Sequence, residues 1–199
     1  MFTLEYFIII IPVILISITI HEFSHAKAAD ILGDPTPRLA GRLTLNPINH
    51  IDPIGFLALI FVRFGWAKPV PINPYNFRDP RRDSAIVGLA GPVSNFFLAW
   101  ILAGIMKVLP FGTSEISLMA IQVFQYAVWI NIALAVFNLI PIPPLDGSHI
   151  LEAFLPYEFS DALFVLRQYG FLILIFIILF PPTQTLLIFI ISSLYKLLL

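Results

Sequence analysis

The chain has 199 residues, of which 59% are hydrophobic and only 12% charged, with a formal net charge of −1. That is too little polar surface to clothe a soluble globule of this size, so the composition points to a polytopic membrane protein. The net charge by itself says nothing about partners, but there is no nucleic-acid patch and no long like-charge run, so no nucleic-acid partner is expected, and the absence of cysteine excludes disulfides and thiolate metal sites.

A helix needs about 20 apolar residues to cross the hydrocarbon core of a bilayer. The first candidate runs from Phe2 to Ile20 and continues helically to about Leu32. It contains Glu5 and lacks a basic leading region, so it reads as a retained helix and not a cleaved signal peptide. Between Arg38 and Asn46, "RLAGRLTLN" alternates apolar and polar residues in its second half and ends at Pro47, which predicts a strand. Ile54 to Val62, set between Pro53 and Arg63, is too short to cross and is expected to be re-entrant or packed against the other helices. Further spans are expected at Ala85 to Leu109, Leu118 to Ile140 and Leu163 to Phe180. Leu186 to Leu199, with Lys196 near its end, either spans or lies at the interface.

The basic residues set the orientation. Lys27, Arg38, Arg42, Arg63, Lys68, Arg78, Arg81 and Arg82 all fall between the first two full spans, whereas the next connection has only Lys107 beside it. The positive-inside rule then makes the first long loop cytoplasmic and puts the N-terminus outside. The turn "NLIPIPPLDG", Asn138 to Gly147, returns to that same cytoplasmic side.

Close to the cytoplasmic end of the first span stands "ITIHEFSHAKAAD", Ile18 to Asp30. His21 and His25 lie one helical turn apart on one face, so both imidazoles can reach one metal ion, with Glu22 beside them. His-Glu-x-x-His on a helix is a specific signal for a zinc hydrolase, and ionisable groups inside a membrane segment are functional candidates by default. A catalytic zinc site needs a third protein ligand and one open position. The candidates on that side are Asp146, His149, His50, Asp30 and Asp52. Asp146 is the best of them, because it follows Pro141, Pro143 and Pro144, which cannot continue a helix, and precedes Gly147, which allows a tight backbone path. Alone, Pro-Leu-Asp-Gly is an ordinary turn. With the histidines on the same side, charge balance favours it as a ligand: Zn²⁺ with neutral His21 and His25 and the carboxylates of Asp146 and Glu22 sums to zero.

Three motifs also carry a resemblance. His21-Glu22-x-x-His25, Gly91-Pro92-x-x-Asn95 and Asn138-x-x-Pro141-x-Pro143-x-x-Asp146-Gly147, in that order, resemble those of site-2 proteases, the zinc-dependent intramembrane endopeptidases of peptidase family M50. "GWAKPVPINP", Gly65 to Pro74, is similar to the family's cytoplasmic hairpin region, and the likeness covers residues 1 to about 155. The resemblance implies one Zn²⁺ per chain held by His21, His25 and Asp146, and Glu22 as catalytic acid/base. It implies transmembrane helices of other proteins as substrates; the sequence departs from many members in showing no PDZ or CBS domain, so a minimal form of the family is expected.

Zinc chemistry in such a site makes Glu22 the group that takes a proton from the attacking water and passes it to the leaving amine. Asn138, which the resemblance places near the metal, is the candidate second donor to the oxyanion, with Asn95 next. Asn131, two turns before Asn138, is expected to be structural, and His149 is expected to support a ligand. The expected fold is an all-α polytopic membrane protein: a bundle of about four to six transmembrane helices with a small membrane-associated β-hairpin region between the first two spans. Residues 1–199 would form one integral-membrane protease domain, the zinc site within 1–155 and C-terminal membrane helices in 156–199. The setting would be a prokaryotic cytoplasmic membrane. A metal-ion transporter, or a membrane-anchored zincin acting on soluble chains, are the competing classes. A transporter would want polar groups along the full depth of a path, whereas the outer halves of these helices are almost purely apolar.

Overall fold

The computed structural model describes residues 4–62 and 65–199; the expected helix start at Phe2 and the basic Arg63 lie outside the described residues. Among the described residues four helices are long and apolar enough to cross a membrane, and the protein is a multi-pass membrane protein. They are α1 (Leu4–Ile31), α4 (Pro80–Val108), α5 (Glu115–Asn138) and α7 (Ser160–Leu179). Shorter helices complete the set: α2 (Thr36–Leu39), α3 (Pro53–Val62), α6 (Gly147–Phe154) and α8 (Pro181–Leu198).

Local chemistry sets the helix ends. α4 begins five residues before the expected Ala85 because Asp79 caps it: the Asp79 carboxylate accepts Arg82 N–H, Asp83 accepts Asp79 N–H, and Pro80 takes the first turn, where no donor is needed. α5 opens on Ser114, whose hydroxyl accepts Ser117 N–H, and closes at Asn138 as the proline run begins.

The bundle centres on α4. Along one face it buries Gly88, Gly91, Asn95, Ala99 and Ala103, spaced three or four apart, and these small residues let α1 and α5 approach closely. In one half of the bundle Ala99 and Ala103 meet Val128 and Ile132 of α5, and Ile191, Leu194, Tyr195 and Leu198 of α8 pack over them. α8 therefore packs into the bundle, and its last residues end beside Lys107 and Val108 at the C-terminal end of α4. α7 is held more lightly. Gly170 lies directly against the Pro143 carbonyl, Leu174 is buried, and Arg167 forms a two-pronged ion pair with Glu152 of α6.

The expected β-hairpin is not there. Between α1 and α4, among the described residues, no strand forms; an isolated antiparallel bridge joins Ile51 to Ala67, and Lys68 N–H donates to His50 O at 3.0 Å. The sequence gives physical reasons. Arg38 belongs to α2, Gly41 turns the chain at φ +67°, Thr44 O is taken by the His50 ring, and Asn46 caps a 3-10 turn over Pro47–His50. On the opposite segment Pro69, Pro71 and Pro74 lack the N–H groups that a ladder requires. Arg38 to Asn46 thus offers no strand edge, and the two segments are tied by side chains.

Candidate metal centre

His21 and His25 occupy successive turns of α1 and point the same way, their ring centroids 4.6 Å apart. Asp146 arrives from the opposite side at the N-terminus of α6, where its carboxylate makes no capping bond to the helix and turns instead toward the imidazoles. Its Oδ2 lies 3.0 Å from His21 Nε2 and 3.3 Å from His25 Nε2, and the two Nε2 atoms are 3.0 Å apart. Gly147 makes this approach possible. A Cβ there would run into the carbonyl oxygens of Leu139 and Ile140, so only glycine lets the chain fold back this tightly.

The outer ring nitrogens decide which tautomers face inward. His25 Nδ1 lies 2.7 Å from the Val87 carbonyl, which can only accept, so Nδ1 carries the proton and Nε2 a lone pair. The argument for His21 runs through a buried chain of amides. Asn131 Nδ2 donates to Ala127 O and to Ser17 Oγ, so its Oδ1 is free to accept from Asn95 Nδ2, which also donates to Ser17 O. Asn95 Oδ1 must then accept from His21 Nδ1, at 2.6 Å, leaving the His21 Nε2 lone pair facing Asp146. Ser17, Asn95 and Asn131 are all fully buried, and the network joins α1, α4 and α5 through direct bonds.

Three electron-rich atoms therefore converge inside a triangle with sides of 3.0 to 3.3 Å. Asp146 Oδ2 is buried with no hydrogen-bond donor. A tetrahedral Zn²⁺ at about 2.0–2.1 Å from each ligand sets its ligand atoms roughly 3.3 Å apart, and the nitrogen and oxygen donors suit that ion. Among the described residues, these are the His, Asp and Glu side chains that come together in a way able to hold a metal.

Glu22 is buried beside the cluster, and its Oε2 accepts the Val70 N–H at 3.2 Å. A cavity of about 1070 Å³ opens from these residues and is walled by apolar side chains such as Leu134, Phe137, Phe171 and Leu174. Asn138 lines that cavity, with its amide donating to Leu134 O of its own helix at 3.0 Å. His149 lines it too, outside the three-atom cluster. The other candidate ligands are engaged elsewhere: Asp30 pairs with Arg38 at 2.6 Å, Asp52 accepts Gly55 N–H at the start of α3, and His50 is enclosed by Thr44 and Arg42.

Sequence reasoning missed Ser17 and Arg42, and it missed the part of Asn95 that holds His21. The available signal for Asn95 was a polar side chain near the middle of a span, which in hydrocarbon must find a partner.

Comparison with known proteins gives concordant results. The model of peptidase family M50 matches residues 102–180. YwhC of Bacillus subtilis, provisionally named a zinc metalloprotease, is 39% identical over 171 residues, covering 84% of this chain and 77% of that protein. Rip2 of Mycolicibacterium smegmatis, named in the same way, is 33% identical over 179 residues, covering 88% of this chain and 68% of its own. No solved structure matches.

Proposed function

Given that the chain belongs to peptidase family M50 and is an intramembrane zinc metallopeptidase, we propose that His21, His25 and Asp146 hold its zinc and that Glu22 is its catalytic acid/base. The observation that carries the assignment is the convergence of three lone-pair atoms, one of them a buried carboxylate oxygen without a donor. When bound, zinc supplies Lewis acidity toward a peptide carbonyl and makes water acidic enough to deprotonate near neutral pH.

The chain's own groups do the remaining work. Glu22 is fixed through Oε2 by the Val70 amide, which leaves Oε1 to take the proton from the attacking water and to hand it to the departing nitrogen. Asn138 lies on the same cavity; exchanging its 3.0 Å bond to Leu134 O lets its amide turn to donate to the developing oxyanion. The largely apolar walls suit a peptide delivered from the bilayer, so the substrates are transmembrane segments of other proteins. Residues 1–199 act as one integral-membrane protease domain. The basic loop between α1 and α4 supports a position for the centre toward the cytoplasmic side of a cell membrane.

The test is a pair of measurements on purified protein and its Glu22→Gln variant in proteoliposomes: bound zinc, and cleavage of single-span substrates. The expected result is one zinc in both and cleavage within the span by the parent alone. Cleavage by Glu22→Gln would remove Glu22 from its role, and absence of zinc from the parent would overturn the ligand set.

A further inference from the structure

Between Ala67 and Ile72 the sequence reads "AKPVPI", so Val70 carries the single N–H in a stretch of three residues flanked by prolines, and that N–H is spent on Glu22 Oε2. Prolines cannot be held in place through their nitrogens. Upstream, Lys68 N–H is tied to His50 O at 3.0 Å; nearer Val70, where prolines stand on both sides, the grip that remains is on the carbonyls. Arg42 supplies it. Its guanidinium donates to Lys68 O and to Pro69 O, the two carbonyls immediately before Val70, at 2.5 and 2.8 Å.

The arginine is itself fixed. It is 4% exposed, and its backbone N–H is tied to Pro37 O at 2.8 Å. Its Nη2 also donates toward His50 Nδ1 at 3.3 Å. His50 Nε2 donates to Thr44 O at 2.8 Å, which fixes the tautomer that leaves Nδ1 as an acceptor. A fork of this shape can bridge two successive carbonyls, which the point charge of a lysine cannot do.

The geometry points to Arg42 as a positioning residue for Glu22: by clamping the Lys68 and Pro69 carbonyls it sets the Val70 N–H that orients the glutamate toward the metal centre. This rests on the reading of Glu22 as acid/base. Arg42 lies in the loop between α2 and α3, and its side-chain hydrogen bonds go to Lys68, Pro69 and His50 and not to His21, His25 or Asp146, so its loss should leave the metal ligands in place.

The experiment compares full-length Arg42→Ala, Arg42→Lys, Val70→Pro and the Arg42→Ala/Val70→Pro pair with the parent and with Glu22→Gln, all in proteoliposomes. For each protein it measures bound zinc, kcat and KM, together with amide hydrogen exchange of the segment containing Val70. A displacement of about 1 Å at a catalytic group costs on the order of 10²-fold in rate. Arg42→Ala is expected to keep its zinc, to lose about 10²-fold in kcat with KM within about threefold, and to speed exchange at Val70. Arg42→Lys should be nearly as slow, guanidinium ion should restore part of the Arg42→Ala rate, and the double variant should lose little beyond either single one. Multiplying losses in the double variant, a kcat loss that follows zinc loss, or unchanged exchange at Val70 would overturn the proposal. If Glu22→Gln is inactive while Arg42→Ala cuts normally, this proposal alone fails. If Glu22→Gln cuts, the assignment beneath it fails.

Discussion

One methyl group offers a sharp test of the metal centre. Gly91 of α4 faces the imidazoles so closely that a Cβ added there would overlap His25 Nε2 and lie 2.6 Å from His21 Cε1 and His25 Cε1. Ordinary carbon contacts need about 3.5 Å or more, so the rings must retreat by roughly 1 Å. They have nowhere to go without loss: His21 is bound behind by Asn95 and His25 by the Val87 carbonyl. Either bond is buried, and leaving its partner unsatisfied costs about 1–3 kcal/mol. A shift of this size also exceeds the roughly 0.2 Å tolerance of a zinc–ligand distance. Gly91→Ala is therefore expected to lower zinc affinity at least 10-fold, or about 1.4 kcal/mol and more. A chelator-competition titration of purified protein measures it. Gly104→Ala is the control, because a Cβ at Gly104 of the same helix meets nothing within 4 Å, and there only the gain in helix propensity of about 1 kcal/mol should be felt. Wild-type zinc affinity in Gly91→Ala would refute the packing of α4 against the ligands.

The amide network makes a graded prediction. Asn95→Ala should weaken zinc binding about 10–100-fold, as removal of a ligand's outer partner does, and Asn131→Ala, one bond further out, should do so less; equal losses in the same titration would speak against the chain of donors. Asp34, fully buried after α1, predicts a pH dependence. Burial pushes its carboxyl up, but bonds from Thr36, Asn73 and Asn76 outweigh that and hold it below its ordinary value of 3.8. Its folded pKa is depressed, so its stabilisation is complete above pH 3.8 and is lost as pH falls through the folded value. Thermal unfolding of the parent should fall across that acid range faster than that of Asp34→Asn, and parallel curves would count against the clamp. Arg167→Ala should change stability by less than about 1 kcal/mol, because its partnership with Glu152 is largely exposed; a larger loss would mean that the pair carries α7.

How much of this was legible in the sequence depended on the range of the interactions. The spans follow from composition alone, and the i, i+4 pair of His21 and His25 from helix period, so both are local and the structure keeps them. Asp146 is 121 residues beyond His25, yet the proline run and Gly147 announced a backbone that must turn sharply there. The strand was misread because alternation of Leu43 and Leu45 with polar neighbours is a weak pattern over five residues, and it says nothing of Thr44 O being claimed by His50. Contacts of that kind, one side chain against a distant carbonyl, leave no period behind. Arg42 shares this trait: in the sequence it is one cation in a basic loop, and only the fold reveals that it is buried with its charge aimed at backbone.

The two halves of the centre are supported by different parts of the molecule, and this has a consequence for how it can fail. The proposed zinc ligands are braced within the bundle, by Asn95, Asn131 and the Val87 carbonyl, where every donor has an acceptor. The glutamate is braced from the loop, through Val70 and the carbonyls beside it. Bundle substitutions should thus act on zinc affinity, loop substitutions on kcat at full zinc occupancy. Only His21 and Glu22, adjacent on one turn of α1, join the two supports. Since a helix turn is rigid compared with a proline-rich strap, errors in the strap should reach the glutamate without reaching the metal. A loop variant that loses zinc in proportion to its activity would show that the strap and the bundle are one mechanical unit after all.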